Sequence, residues 1–170
     1  MDDLRLDTAK AAVWGALSGL AQIVALAFAP GFFPDWYYLL VAVGYGLLLP
    51  LIAVLHVRHA PVRASGAILA TAAGTATVTV GIAASGSTEL VVAALFVRGI
   101  WWWTIGKLWA ETGVLPRALG TATMALGALT LVAAVASAPM AMDTGTIWIA
   151  ERALLGLWTL ALSFALWRTR

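Results

Sequence analysis

Residues 90–109 read LVVAALFVRGIWWWTIGKLW. Wound as an α-helix at about 1.5 Å per residue, this stretch runs about 30 Å, the thickness of a bilayer's hydrocarbon core. Working outward, five more stretches of the same kind, bounded by Pro, Gly or charge, fall at 11–29, 37–56, 65–84, 118–137 and 146–167. Of the 170 residues, 62% are hydrophobic and only 11% charged, and the mean hydropathy of +0.95 is far above that of a soluble globular domain. At ~20 residues per crossing the chain is used up by about six or seven spans. The sequence therefore predicts an all-α fold: a single polytopic domain over residues 1–170, a bundle of six transmembrane helices.

Six crossings place both termini on one side. Of the ten Lys and Arg, Arg5, Lys10, Arg58, Arg63, Lys107, Arg117, Arg168 and Arg170 fall at the N-terminus, at two alternate connections or at the C-terminus. The other three connections, Pro30 to Asp35, Ser85 to Ser87 and Pro139 to Gly145, carry none. By the positive-inside rule both termini are cytoplasmic, in a multi-pass protein of the bacterial inner (plasma) membrane. Met1 to Lys10 hold Asp2, Asp3 and Asp7 and no signal-cleavage pattern, so the first span is expected to be retained.

Two spans read as packing elements. Gly66, Ala70 and Gly74 with Thr71, Thr75 and Thr79, and then Gly120, Gly127 and Ala128, make small faces that let helices approach closely in lipid, where burying Leu gains nothing. Gly44, Gly46 and Pro50 predict a kink or a weakened turn in the second span, because Pro lacks the N–H of the helical ladder.

Arg98 and Arg152 fall inside spans. Arg98 lies eight residues below Leu90, about 12 Å, and Glu151 five below Thr146, about 7–8 Å, so the two share a leaflet. A lone intramembrane charge costs several kcal/mol, and an Arg98–Glu151 pair is the simplest remedy. At about 100° per residue, Val91, Ala94, Trp101, Trp102, Ile105 and Trp109 share the face of Arg98, with Glu89, Lys107 and Glu111 opposite. Around Glu151 the same geometry gathers Trp148, Leu154, Leu155, Trp158 and Leu162, with Arg152 turned away by about 100°. Nine tryptophans stand in the chain, and Trp101, Trp102 and Trp158 are too deep for an interfacial belt. Either they line an aromatic cavity, or they fill space between helices and stack on Arg98.

Gln22, Ser18 and Tyr45 fall at mid-membrane depth, as interior ligand contacts or as interhelical hydrogen bonds. Lys107 and Glu111 suit an interfacial i,i+4 pair. Glu89, Asp35 and Asp143 stand at outer helix ends. There is no cysteine, and His56 and His59 lack a third ligand, so thiol chemistry is excluded and neither a metal site nor a cofactor is expected. The basic residues sit at helix ends rather than in a patch, so nucleic acid is not an expected partner. No phosphate loop, nucleophile motif or acidic magnesium cluster is present.

A carboxylic acid among indole faces suits protonation of an alkene or epoxide and shelter of the resulting cation. In size, helix packing and this pairing of carboxylate with aromatics, the chain resembles the small integral-membrane terpene cyclases. The resemblance implies acid-initiated cyclisation or isomerisation of a lipophilic isoprenoid-like substrate. Glu151 would be the general acid, Arg98 its orienting group and Glu89 a substitute acid if Arg98 holds Glu151 too closely, with Asp35 and Asp143 in the same position. Trp101, Trp102, Trp109, Trp148, Trp158, Tyr45 and Gln22 would contact the substrate. A second resemblance rests on Trp102-Trp103, Gly106, Gly113, Leu115-Pro116-Arg117 and Leu119-Gly120, which are similar to a segment of an uncharacterised bacterial multi-pass family. That family implies a fold and fits a non-catalytic subunit. The alternative to the enzyme is thus a non-enzymatic accessory subunit or a hydrophobic-ligand-binding protein, and the small faces also permit a homo-oligomer. An enzyme calls for a closed cavity in which a carboxylate faces indoles, a scaffold for Trp101, Trp102 and Trp158 packed against one another.

Overall fold

The computed structural model describes residues 2–28, 34–87, 90–137 and 144–169. Seven helices follow one another: α1 (Asp2–Phe28), α2 (Pro34–Gly46), α3 (Leu48–His59), α4 (Ala64–Ala84), α5 (Val91–Thr112), α6 (Arg117–Ser137) and α7 (Thr144–Arg168). Among the described residues there is no strand. α2 and α3 together make one span, Trp36–His59, so among the described residues the helices long and apolar enough to cross a membrane number six. The break falls where Pro50 predicts it. Pro50 has no N–H for the carbonyl of Gly46, and the helix slackens at Leu47, whose own N–H still donates to Val43 at 2.9 Å. With six spans the termini share one end of the bundle. A hydrogen bond from Arg58, near the end of α3, to Thr169 after α7 (3.1 Å) marks that terminal end.

With no hydrophobic gain from helix association in lipid, close packing decides which helices pair. On α6 the buried residues are Gly120, Thr123, Gly127, Thr130, Ala134 and Ser137, alternating three and four apart along one narrow seam of small residues. This seam meets Gly99 and Gly106 of α5. A Cβ on Gly120 would stand 2.6 Å from the Ala110 nitrogen and 2.9 Å from the Gly106 oxygen, and one on Gly127 would stand 2.5 Å from the Trp103 nitrogen and 2.9 Å from the Gly99 oxygen. The two backbones therefore touch. On the opposite side of α6, Leu129, Val132 and Val135 are about two-thirds exposed, as residues facing lipid tails would be. The turn between α5 and α6 is short because Gly113 takes a left-handed conformation, φ 68°, and its N–H closes α5 on Trp109. α1 and α7 approach in the same manner, with Gly19 against the Gly156 carbonyl.

The small face of α4 lies elsewhere than the threonine stripe suggests. Ala67, Ala70, Ala73, Gly74, Thr77, Val78 and Gly81 are buried, whereas Thr75 and Thr79 are exposed. Their hydroxyls donate to the carbonyls of Thr71 and Thr75 on their own helix, so a threonine can face lipid without an unmet donor. Thr71 alone of the three turns inward, to His56 Nδ1 at 2.9 Å.

Candidate functional site

Arg98 sits seven residues into α5, about 10 Å from its start. It is fully buried, and its guanidinium reaches two other helices. Nη1 pairs with the Glu151 carboxylate on α7, and Nη2 donates to the Tyr45 hydroxyl on α2. Its flat faces are also occupied, with the Trp148 ring 5.2 Å and the Tyr45 ring 5.5 Å from the guanidinium carbon. Glu151 is itself buried, at 5% exposure. The expected ion pair is present, and it joins α2, α5 and α7 at one level. Glu151 Oε1 and Arg98 Nε have no hydrogen-bond partner among the described residues.

Arg152 departs from the helical-wheel reading. It does turn away from Glu151, yet it is fully buried, because α7 packs on α1 with that flank. Nε and Nη2 donate to Gln22 Oε1 on α1 at 3.2 and 3.1 Å, and the guanidinium lies over the Tyr37 ring at 4.9 Å. Gln22 is therefore an interhelical acceptor. The signal that would have found the pair was in the sequence: an arginine inside a span needs an acceptor, and Gln22 is the amide at matching depth on α1. Beside it, Ser18 donates to the Gly44 carbonyl at 2.6 Å, tying α1 to α2. The buried face of α7 is accordingly displaced from the one expected. Leu155, Trp158 and Leu162 are buried, and so are Arg152 and Thr159, but Leu154 is 42% exposed.

Toward the terminal end from Arg98, the indoles form one cluster. Trp101, Trp102 and Trp109 of α5 are fully buried around Trp158 of α7. Their ring centroids stand 5.2 Å (edge-on), 5.7 Å (tilted) and 6.1 Å (stacked) from that of Trp158. Trp158 Nε1 donates to Thr123 of α6 at 2.9 Å, so the seam helix anchors the hub. Among the described residues, the N–H groups of Trp101, Trp102 and Trp109 have no hydrogen-bond partner. Trp148 belongs to the arginine level instead. Glu151 and Trp158 are seven residues apart on α7, so the carboxylate stands about 10 Å, two helical turns, from the cluster's hub. Trp14, Trp36, Trp103 and Trp167 are more than 40% exposed; Trp36 and Trp167 stand at span ends, as membrane-belt residues do, whereas Trp103 lies midway along α5.

Roomier spaces lie on the flanks. An open groove of about 380 Å³ runs between α1 and α7, lined by Ala12, Val13, Ala16, Leu160, Ser163, Phe164 and Trp167. A second cavity, about 230 Å³, opens between the start of α4 and the last turns of α5. Neither is lined by Glu151, Arg98 or Trp158. The space beside Trp101, between Ile52 and Ala70, is too narrow for a water molecule.

Other expected residues are placed as follows. Glu89, Asp143 and the side chain of Asp35 lie outside the described residues. Lys107 and Glu111 approach to 3.8 Å, and Glu111 also pairs with Arg63 across the helix gap, a contact no spacing in the sequence announces. His59 is buried against the Leu55 carbonyl at 2.7 Å, away from His56 and its Thr71 partner. No protein-family model matches the chain, and comparison with curated proteins and with solved structures finds no match.

Proposed function

We propose that the chain is a non-enzymatic multi-pass membrane protein that binds a hydrophobic ligand on its flank. The observation that carries this reading is the α1–α7 groove. At about 380 Å³ it falls in the size range of small-molecule sites, and its lining is apolar apart from Ser163. The Ser163 hydroxyl is already donated to the Thr159 carbonyl at 2.7 Å, so the groove offers a ligand almost nothing but hydrocarbon and aromatic surface. The interior supports the same conclusion. Trp158 is in contact with three indoles, and Glu151 is held by Arg98. Neither open space is lined by Glu151, so an alkene held in either would not meet its carboxyl group.

A second reading, acid-initiated cyclisation or isomerisation of an isoprenoid-like substrate, has one observation in its favour: Glu151 Oε1 is buried and has no hydrogen-bond partner among the described residues. One experiment separates the two. Organic extracts of the purified protein, of Ala16→Phe and of Glu151→Gln are compared by mass spectrometry. The binding reading expects a discrete lipophilic molecule that is identical in wild type and Glu151→Gln and depleted in Ala16→Phe, where the new ring fills the groove. A co-purified molecule that changes structure with Glu151→Gln would overturn it in favour of the enzyme, and bulk lipid alone in all three samples would overturn it outright.

A further inference from the structure

The cavity between α4 and α5 is of a different kind from the apolar groove, and stands independently of it. Its mouth is charged. Arg63, at the residue preceding α4, pairs with Glu111, and Lys107 Nζ lies 3.8 Å from the same carboxylate. Two cations thus share one anion, leaving one positive charge, and all three side chains are between 39% and 55% exposed, as befits a helix end at a bilayer surface. Deeper in, the wall turns apolar: Leu69, 55% exposed, and Trp103, 41% exposed, with Gly66 supplying room by having no side chain. Lys107 and Trp103 are five and nine residues from the end of α5, about 8 and 13 Å down. From the mouth inward the order is cation, cation, then hydrocarbon and indole. About 230 Å³ accommodates a polar head and the first carbons of a chain whose remainder would lie in the surrounding bilayer.

We infer that this cavity is a binding site for an anionic phospholipid, the headgroup phosphate lying against Arg63 and Lys107 and an acyl chain running along Leu69 and Trp103. A net positive charge at the mouth selects an anionic head over a zwitterionic one, and the sideways opening onto hydrocarbon selects a lipid over a free phosphate. If the basic helix ends face the cytoplasm, as their distribution predicts, the site lies in the leaflet where anionic lipids are abundant.

The test is native mass spectrometry of the full chain released from detergent with phosphatidylglycerol, phosphatidylcholine or inorganic phosphate added. Wild type should retain phosphatidylglycerol over phosphatidylcholine by about fivefold, the effect of one net basic charge near a membrane surface. Lys107→Gln leaves Arg63 and Glu111 as a neutral pair and should abolish that preference. Gly66→Leu fills the cavity and should lower retention of both lipids. Arg117→Gln removes a basic residue at the same end of the bundle but outside the cavity, and should leave the preference unchanged. Equal retention of the two lipids by wild type, equal effects of Lys107→Gln and Arg117→Gln, or full displacement of phosphatidylglycerol by inorganic phosphate would each overturn the assignment.

Discussion

Replacing Glu151 by Leu removes the carboxylate that faces Arg98 while leaving the guanidinium fully buried between α2, α5 and α7. Tyr45 still accepts one hydrogen bond and the Trp148 face remains, but no anion among the described residues then neutralises Arg98. Breaking a buried pair from one side costs about 3–5 kcal/mol, because the surviving charge has neither water nor a partner. Arg98→Met should cost a comparable amount by stranding the carboxylate. The double variant, Arg98→Met with Glu151→Leu, removes both charges and leaves apolar chains of similar length, an exchange that is often neutral or better. The two single losses sum to roughly 6–10 kcal/mol, whereas the double should lose no more than about 1–2 kcal/mol, so the coupling is large and of opposite sign to the losses. Reversible unfolding in mixed micelles, followed by far-ultraviolet circular dichroism, measures all three. Single losses below about 1 kcal/mol, or a double variant as unstable as the sum of the singles, would refute the argument that the pair is a mutual neutralisation within the bundle. Under the proposed binding function, the double variant should also retain any lipophile bound in the α1–α7 groove, since neither residue lines it.

Other perturbations test separate parts of the fold. Gly120→Ala drives a methyl into the backbone of α5 and should cost about 1–3 kcal/mol, while Gly46→Ala, whose Cβ would meet nothing within 4 Å, should be neutral or stabilise by a few tenths to about 1 kcal/mol; thermal denaturation of the pair decides. Trp158→Ala empties the centre of the indole cluster and should cost about 3–5 kcal/mol, against less than about 1 kcal/mol for the exposed Trp36→Ala, by the same assay. Gln22→Leu withdraws the acceptor of two Arg152 hydrogen bonds and should destabilise by about 2–3 kcal/mol, with hydrogen exchange rising in α1 and α7 ahead of α5 and α6.

What could be read from the sequence follows from what kind of constraint was acting. Span number, the slackened turn before Pro50 and the Arg98–Glu151 pair are set by the bilayer itself: fixed length, a missing N–H, and the cost of a lone charge. Arg152 was visible as a problem and unsolved as a contact, because a helical wheel gives the direction of a side chain and says nothing of which helix stands there. Its acceptor is 130 residues away in the chain. The glycine seam shows the same limit. Gly120 and Gly127 stand out at once, but Gly99 and Gly106 acquire meaning only when α5 is laid against them. The threonines of α4 misled because a hydroxyl bonded to its own helix satisfies itself equally well on a packed face or in lipid. Whether indoles surround a void or one another is likewise set by the distance between α5 and α7, which no residue spacing encodes.

The two kinds of contact divide the work of choosing neighbours. Backbone approach at Gly99, Gly106, Gly120 and Gly127 fastens α6 to α5, and the Gly19–Gly156 approach fastens α1 to α7. These pairs would slide or exchange in lipid if apolar surface alone held them, since lipid tails are as apolar as the side chains they would replace. The arginines supply the missing specificity between pairs. Arg98 reaches from α5 to α2 and α7, and Arg152 from α7 to α1, so two side chains join both glycine-faced pairs and the broken second span into one bundle. Each is expensive to leave unpartnered, which is why each enforces one arrangement. Both arginines lie in the half of the bundle away from the termini, whereas the groove of α1 and α7 and the charged cavity of α4 and α5 open in the other half, so the proposed binding surfaces do not draw on the residues that fix the helix arrangement.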